Sequence, residues 1–204
     1  LRDGIFALFF ERILRACFFI ANWQLQISNC KLNNHNDLRD LSFYLDIHLT
    51  MKILVLGLGN PLVSDDSIGL RVVETLKPML AGRSDVEVSE DYWGGLRLME
   101  RMIGYDWAII IDAIQSGAPP GTVHRLTPDS ISTQRSASVH DVNLPTALEF
   151  GRKAGVALPK NEHILLVGIE AEDILTFSER CTPAVEASIP LAVGAVMQAI
   201  QEIQ

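Results

Sequence analysis

The hydrophobic pattern changes character at one point in the chain. Upstream of Met51, apolar and polar positions follow no clear period and turn signals are few. Beyond it, unbroken or alternating apolar runs take turns with stretches of helical period. Lys52–Leu58 is continuously apolar and ends in glycines, the pattern of a strand buried on both faces. Ser64 or Asp65 can cap a helix reaching about Leu80, with Ile68, Val72 and Leu76 on one face. Val86–Glu90 alternates and predicts a second strand. Gly94-Gly95 opens a short helix with Leu96, Met99 and Ile103 at core spacing. Trp107–Ile111 is a uniformly apolar third strand that stops at Asp112.

Gly117-Ala-Pro-Pro-Gly121 is the strongest loop signal. Thr122–Leu126 follows as a fourth strand. The link from Ile111 to Thr122 is about ten residues, short for a parallel crossover, so this strand is predicted antiparallel to its predecessor. A polar stretch, Thr127–Ser138, leads to His140 and a helix over about Leu144–Ala154. His163–Ile169 is the fifth strand. Pro183 starts the last helix, which runs to about Ile203 and which Pro190 should kink or split. The order β-α-β-α-β-β-α-β-α predicts an α/β three-layer sandwich. Its core is a twisted, mostly parallel five-stranded sheet with one antiparallel strand and helices on both faces. Ligand sites in such sheets lie beyond the carboxyl ends of the strands.

Charge divides the chain at the same place. Acidic and basic residues cancel within 1–50, so the whole net charge of -8 falls in 51–204. The expected organisation is a domain over 51–204 preceded by a poorly structured or loosely helical extension over 1–50. Met51 is the expected natural start, with 1–50 as upstream translation. In that extension Glu11, Arg12 and Arg15 interrupt the apolar residues, against both a signal peptide and a membrane span. An acidic chain without a basic stripe is not expected to bind nucleic acid. With 48% hydrophobic and 21% charged residues, a packed core is expected rather than disorder. Cys17, Cys30 and Cys181 are too scattered for a disulfide framework or a cysteine zinc site. They fit a reducing, cytoplasmic compartment.

The turn after the first strand, Gly57-Leu-Gly-Asn-Pro-Leu62, departs from a dinucleotide fingerprint. Leu62 stands where a small residue is needed, and Pro61 removes a backbone donor. The chain has no phosphate-loop lysine motif, no Gly-x-Ser-x-Gly elbow and no His-Glu-x-x-His helix. The turn does carry Asp65-Asp66: one carboxylate can cap the following helix while the other faces the cleft. Asp112 ends the most apolar strand, and His140 lies on the loop before a helix. Each has a bland reading: a cap, a loop aspartate, a surface histidine. Together, two carboxylates and an imidazole from three connections make an open transition-metal site. Neighbouring carboxylates also raise one another's pKa, which suits acid or base work. His124 and His163 fall inside predicted strands and read as structural. Cys181 has no basic partner nearby in sequence and is discounted as a nucleophile.

Met51-Lys-Ile-Leu-Val-Leu-Gly-Leu-Gly-Asn-Pro-Leu-Val-Ser-Asp-Asp-Ser-Ile-Gly69 closely resembles the opening of the NiFe-hydrogenase maturation proteases. Gly94-Gly95, Ile109-Ile-Ile-Asp-Ala113 and Ser138-Val-His140 match later family signatures in the right order. The resemblance covers essentially all of 51–204 and none of 1–50. It implies an endopeptidase that removes a C-terminal peptide from a hydrogenase large-subunit precursor once nickel has entered it. The nickel then belongs to the substrate and serves as the recognition signal; no resident cofactor is implied. The family's metal-contacting and catalytic positions fall on Asp66, Asp112 and His140. Many relatives carry glutamate where this chain has Asp66, one methylene shorter. Asn60, Gly94 and Gly95 fall on segments lining the cleft, where small residues admit a substrate backbone. The rival expectation is a non-proteolytic module with the same cleft, checking nickel or binding a small ligand.

Overall fold

A computed structural model describes residues 51–131 and 144–203. They fall within Thr50–Gln204, a unit separate from Leu1–Leu49. The expected extension over 1–50 lies outside the described residues.

Five strands form one sheet in the order β2-β1-β3-β5-β4. They are β1 (Ile53–Leu58), β2 (Val86–Asp91), β3 (Trp107–Ile114), β4 (Val123–Leu126) and β5 (Ile164–Glu170). All pairings are parallel except β4 on β5. The expected sheet is therefore present, with one refinement. β4 runs opposite to β3, as its short link demands, but β5 lies between them. β3 also runs past Asp112. Its pairing with β5 continues through Asp112↔Gly168 to Ile114↔Glu170, so backbone hydrogen bonding keeps the strand going where its apolar run stops.

The sheet carries helices on both faces, because its inner strands alternate between two apolar surfaces. Ile53, Val55, Ile109, Ile111, Val167 and Ile169 share one core cluster with α1 (Ile68–Leu80) and α6 (Ile189–Ile203). Leu54, Leu56, Leu58, Ala108, Ile110 and Leu166 face α2 (Gly95–Arg101) and α4 (Leu144–Lys153). A one-turn α3 (Pro128–Ile131) follows β4, and α5 (Pro183–Glu186) precedes α6. The predicted last helix is thus split at Ala187-Ser188, just before Pro190. By length and composition Pro183–Ile203 is apolar enough to cross a membrane. Its Val185, Ala192, Val193, Val196, Ala199 and Ile200 are buried in the core with α1.

Two further expectations change. In α2 the core residues are Leu98 and Met99, followed by the buried C-cap Met102, whereas Leu96 is 54% exposed and Ile103 only half-buried. Gly94 forms the N-cap, which sets the phase of so short a helix. His163 stands before β5, in a 3-10 turn, not inside a strand. Its ring stacks on Trp107 at 4.1 Å between centroids.

The contact that positions the site is between α1 and the strand ends. A Cβ on Gly57 would meet the Gly69 carbonyl oxygen at 2.3 Å. One on Gly69 would meet the carbonyl oxygens of Leu58 and Ile111 at 2.3 and 2.4 Å. Backbone against backbone, α1 presses its first turn onto the carboxyl ends of β1 and β3.

Candidate active site

That contact brings two connections together. Asp66 stands in the 3-10 turn Asp65–Ser67, three residues before Gly69. Asp112 follows Ile111 directly. β1 and β3 are parallel neighbours, with Gly57 opposite Ile111, so both aspartates sit at the same edge of the sheet. Asp66 is half-buried and its Oδ2 accepts the Asn60 N–H at 2.9 Å. Asp112 is 1% exposed and its Oδ1 accepts the Ala113 N–H at 2.9 Å. By alternation from Ala108 and Ile110, its side chain takes the α2/α4 face. Leu144, the first residue of α4, is buried in that same cluster. His140 itself lies outside the described residues. Among the described residues no three His, Cys, Asp or Glu side chains gather in a way that holds a metal.

The two adjacent aspartates divide their work, but neither caps a helix. Neither the 3-10 turn nor α1 has a side-chain cap. Asp65 is fully buried and reaches to a loop more than a hundred residues away. Its Oδ2 accepts the N–H groups of Glu172 and Asp173, each at 2.9 Å, and the Thr182 hydroxyl at 3.0 Å. Its Oδ1 accepts the Thr182 N–H at 2.6 Å. A buried carboxylate is tolerated only with such compensation. Asp65 is a structural clamp, and the clamp holds the turn that carries Asp66.

Asn60 is exposed. Its side-chain oxygen accepts the Leu62 N–H at 3.1 Å, closing the turn, while its own N–H holds Asp66. Gly94 is extended and Gly95 has φ +63°, a conformation that favours glycine. They lie beyond β2, the neighbour of β1, on the same edge of the sheet.

A third carboxylate at this edge escaped sequence reasoning. Glu170 ends β5, is 2% exposed, and is paired with Ile114, two residues beyond Asp112. It accepts the Ser116 hydroxyl and the Gly117 N–H, both at 2.7 Å, and faces His124 Nε2 at 3.7 Å. The signal was the one that pointed to Asp112: an acidic residue ending an apolar strand. Cys181 is buried, and burial pushes its thiol pKa up, against the partly opposing hydrogen bond with Ser67. That disfavours the thiolate and agrees with setting Cys181 aside.

The sequence model of hydrogenase maturation proteases matches residues 70–199, a span holding Asp112 and His140. The chain belongs to the hydrogenase maturation protease family. It is 35% identical to the hydrogenase 2 maturation protease of Escherichia coli over 155 residues, 74% of this chain and 92% of that relative. With the hydrogenase expression/formation protein HupD of Thiocapsa roseopersicina it shares 31% identity over 149 residues, 68% of this chain and 66% of that one. Solved structures of the family have the same fold. The hydrogenase maturating endopeptidase HybD of Escherichia coli superposes with a TM-score of 0.62 at 34% identity, covering 74% of this chain and 93% of HybD. The [NiFe] hydrogenase maturation protease HybD from Thermococcus kodakarensis gives a TM-score of 0.53 at 28% identity, covering 73% and 99%. As a member of this protease family, the chain is a hydrolase.

Proposed function

We propose that this protease removes a C-terminal peptide from a nickel-loaded NiFe-hydrogenase large-subunit precursor, using Asp66, Asp112 and His140. One observation carries the reading: Asp66, in the turn after β1, and Asp112, in the last residues of the adjacent parallel β3, lie at the same edge of the sheet, in a chain of this family. The nickel arrives as part of the substrate. Carboxylate oxygens and an imidazole nitrogen are suitable donors for it. A weak, open set of three fits docking onto a metal that the precursor already holds. Docking fixes where the scissile bond lies relative to the carboxylates, one of which serves as base toward the attacking water. Asn60, Gly94 and Gly95 line the approach, and the reaction belongs in the cytoplasm.

The test is intact mass of a cognate precursor after incubation with the full chain, with and without prior nickel loading. Loss of a C-terminal peptide only from the loaded precursor is the expected result. His140→Ala and Asp66→Asn should each abolish it. No cleavage of a loaded cognate precursor by folded protein would sink the reading and leave a nickel-checking or small-ligand-binding module.

A further inference from the structure

The connection from β5 to α5 is fixed at its base and apolar at its tip. Asp65 grips it at Glu172, Asp173 and Thr182. Within it, Asp173 Oδ1 accepts the N–H groups of Leu175 and Thr176, both at 3.0 Å. Its far side pairs with the β1 turn through an antiparallel bridge, Val63↔Phe177. Ser64 N–H donates to the Thr176 carbonyl at 3.0 Å, and Ser178 N–H to the Leu62 carbonyl at 3.1 Å. Despite this fastening, Leu175 is 84% and Phe177 82% exposed, with Leu62 at 57% on the facing segment.

Single exposed apolar residues are ordinary. Here they cluster on backbone that is already ordered, which lowers the cost of binding something. Their place says what. The loop shares hydrogen bonds with residues 62–64, directly before Asp65-Asp66. Elsewhere on this edge of the sheet, the connection after β2 exposes Tyr92 and Trp93, and the start of α2 exposes Leu96. The loop itself crosses from the end of β5 to the turn after β1, and its apolar tip stands beside the residues that lead into Asp66. A polypeptide drawn to Asp66 comes within reach of this tip. A second copy of this chain seated here would instead cover the turn carrying Asp66.

We propose that Leu175 and Phe177, held out by this fastened loop, dock onto an apolar surface of the hydrogenase large-subunit precursor. This rests on the protease reading above. The contact is apolar, so its share of the affinity persists at high salt.

The experiment measures binding of the full-length protein to the nickel-loaded precursor, and cleavage in parallel. The variants are Leu175→Asp/Phe177→Asp and the milder Leu175→Ser/Phe177→Ser. Leu191→Asp, at a position 67% exposed on α6, is the control. Precursor affinity should fall about tenfold or more in both double variants, at low and high salt alike, while Leu191→Asp binds as the parent does. All three should keep the parent melting temperature. Parent-like precursor binding by folded double variants overturns the proposal, as does a change confined to self-association. Cleavage with no variant effect removes the docking role alone. Weakened binding by the variants, with no cleavage by any form, removes the protease reading and leaves the docking surface standing.

Discussion

Asp65 binds Thr182 twice, taking its backbone N–H at 2.6 Å and its hydroxyl at 3.0 Å, across 117 positions of sequence. The pair closes the β5–α5 connection onto the turn that holds Asp66. Removing the carboxylate strands several donors at once, and each buried unsatisfied group costs about 1–3 kcal/mol. Asp65→Ala should therefore lower stability by about 3 kcal/mol or more in urea unfolding. Asp66→Ala, at a half-buried position whose Oδ2 accepts the Asn60 N–H, should cost about 1 kcal/mol while abolishing processing. Equal unfolding midpoints for the two variants would contradict this division of labour.

That division was not legible in the sequence. Two adjacent aspartates have the same chemistry, and what separates them is a loop more than a hundred residues away. Much of the frame was legible, because it rests on local rules. Apolar runs marked the strands, the short link after Ile111 set the direction of β4, and Pro190 marked the break before α6. The neighbour of β4 was hidden, since β5 comes later in the chain and inserts beside it. The buried face of α2 was misread because a seven-residue helix has too few turns for its period to declare itself. Asp112 is a candidate because an apolar run stops there, and Glu170 stands at the same kind of stop.

The seating of α1 on the strands depends on two glycines, so adding a methyl group tests it. At Gly57 a Cβ would lie 2.3 Å from the Gly69 carbonyl oxygen and 2.7 Å from Val73 Cγ2. Backbone cannot retreat as a side chain can, and overpacking of this kind costs about 1–3 kcal/mol. Gly57→Ala should lower stability by that amount and reduce processing, because the turn carrying Asp66 is displaced with α1. Gly194, exposed inside α6, has nothing within 4 Å of such a Cβ. Gly194→Ala should raise stability by roughly 0.5–1 kcal/mol through helix propensity alone. Thermal unfolding of both variants, beside a processing assay, gives the comparison.

Glu170 holds the loop that leaves β3, through Ser116 and Gly117. Glu170→Ala removes the acceptor for both and should cost about 2 kcal/mol. The local signature is hydrogen exchange. The Gly117 amide, protected in the parent, should exchange at the rate of an open loop in the variant. If it stays protected, Glu170 does not hold the loop.

Cys181 provides a pH test of burial. Its thiol pKa is raised by desolvation, with the Ser67 hydrogen bond working against the shift. An unfolded thiol loses its proton near pH 8.5, as an approximate reference value. The native thiol keeps its proton beyond that point, so above it the native state binds more protons than the unfolded one. Stability is then lost as pH rises from the unfolded pKa through the native one, and Cys181 contributes no slope at neutral pH. Urea midpoints followed from pH 7 to 10 should fall on the alkaline side, and Cys181→Ala should flatten part of that fall. Iodoacetamide read peptide by peptide provides an independent check: at pH 7.5 the Cys181 peptide of the folded protein should stay unmodified, and in urea it should label fully. Prompt labelling of the folded protein would mean that the thiol is neither buried nor held protonated, and Cys181 would return as a candidate nucleophile.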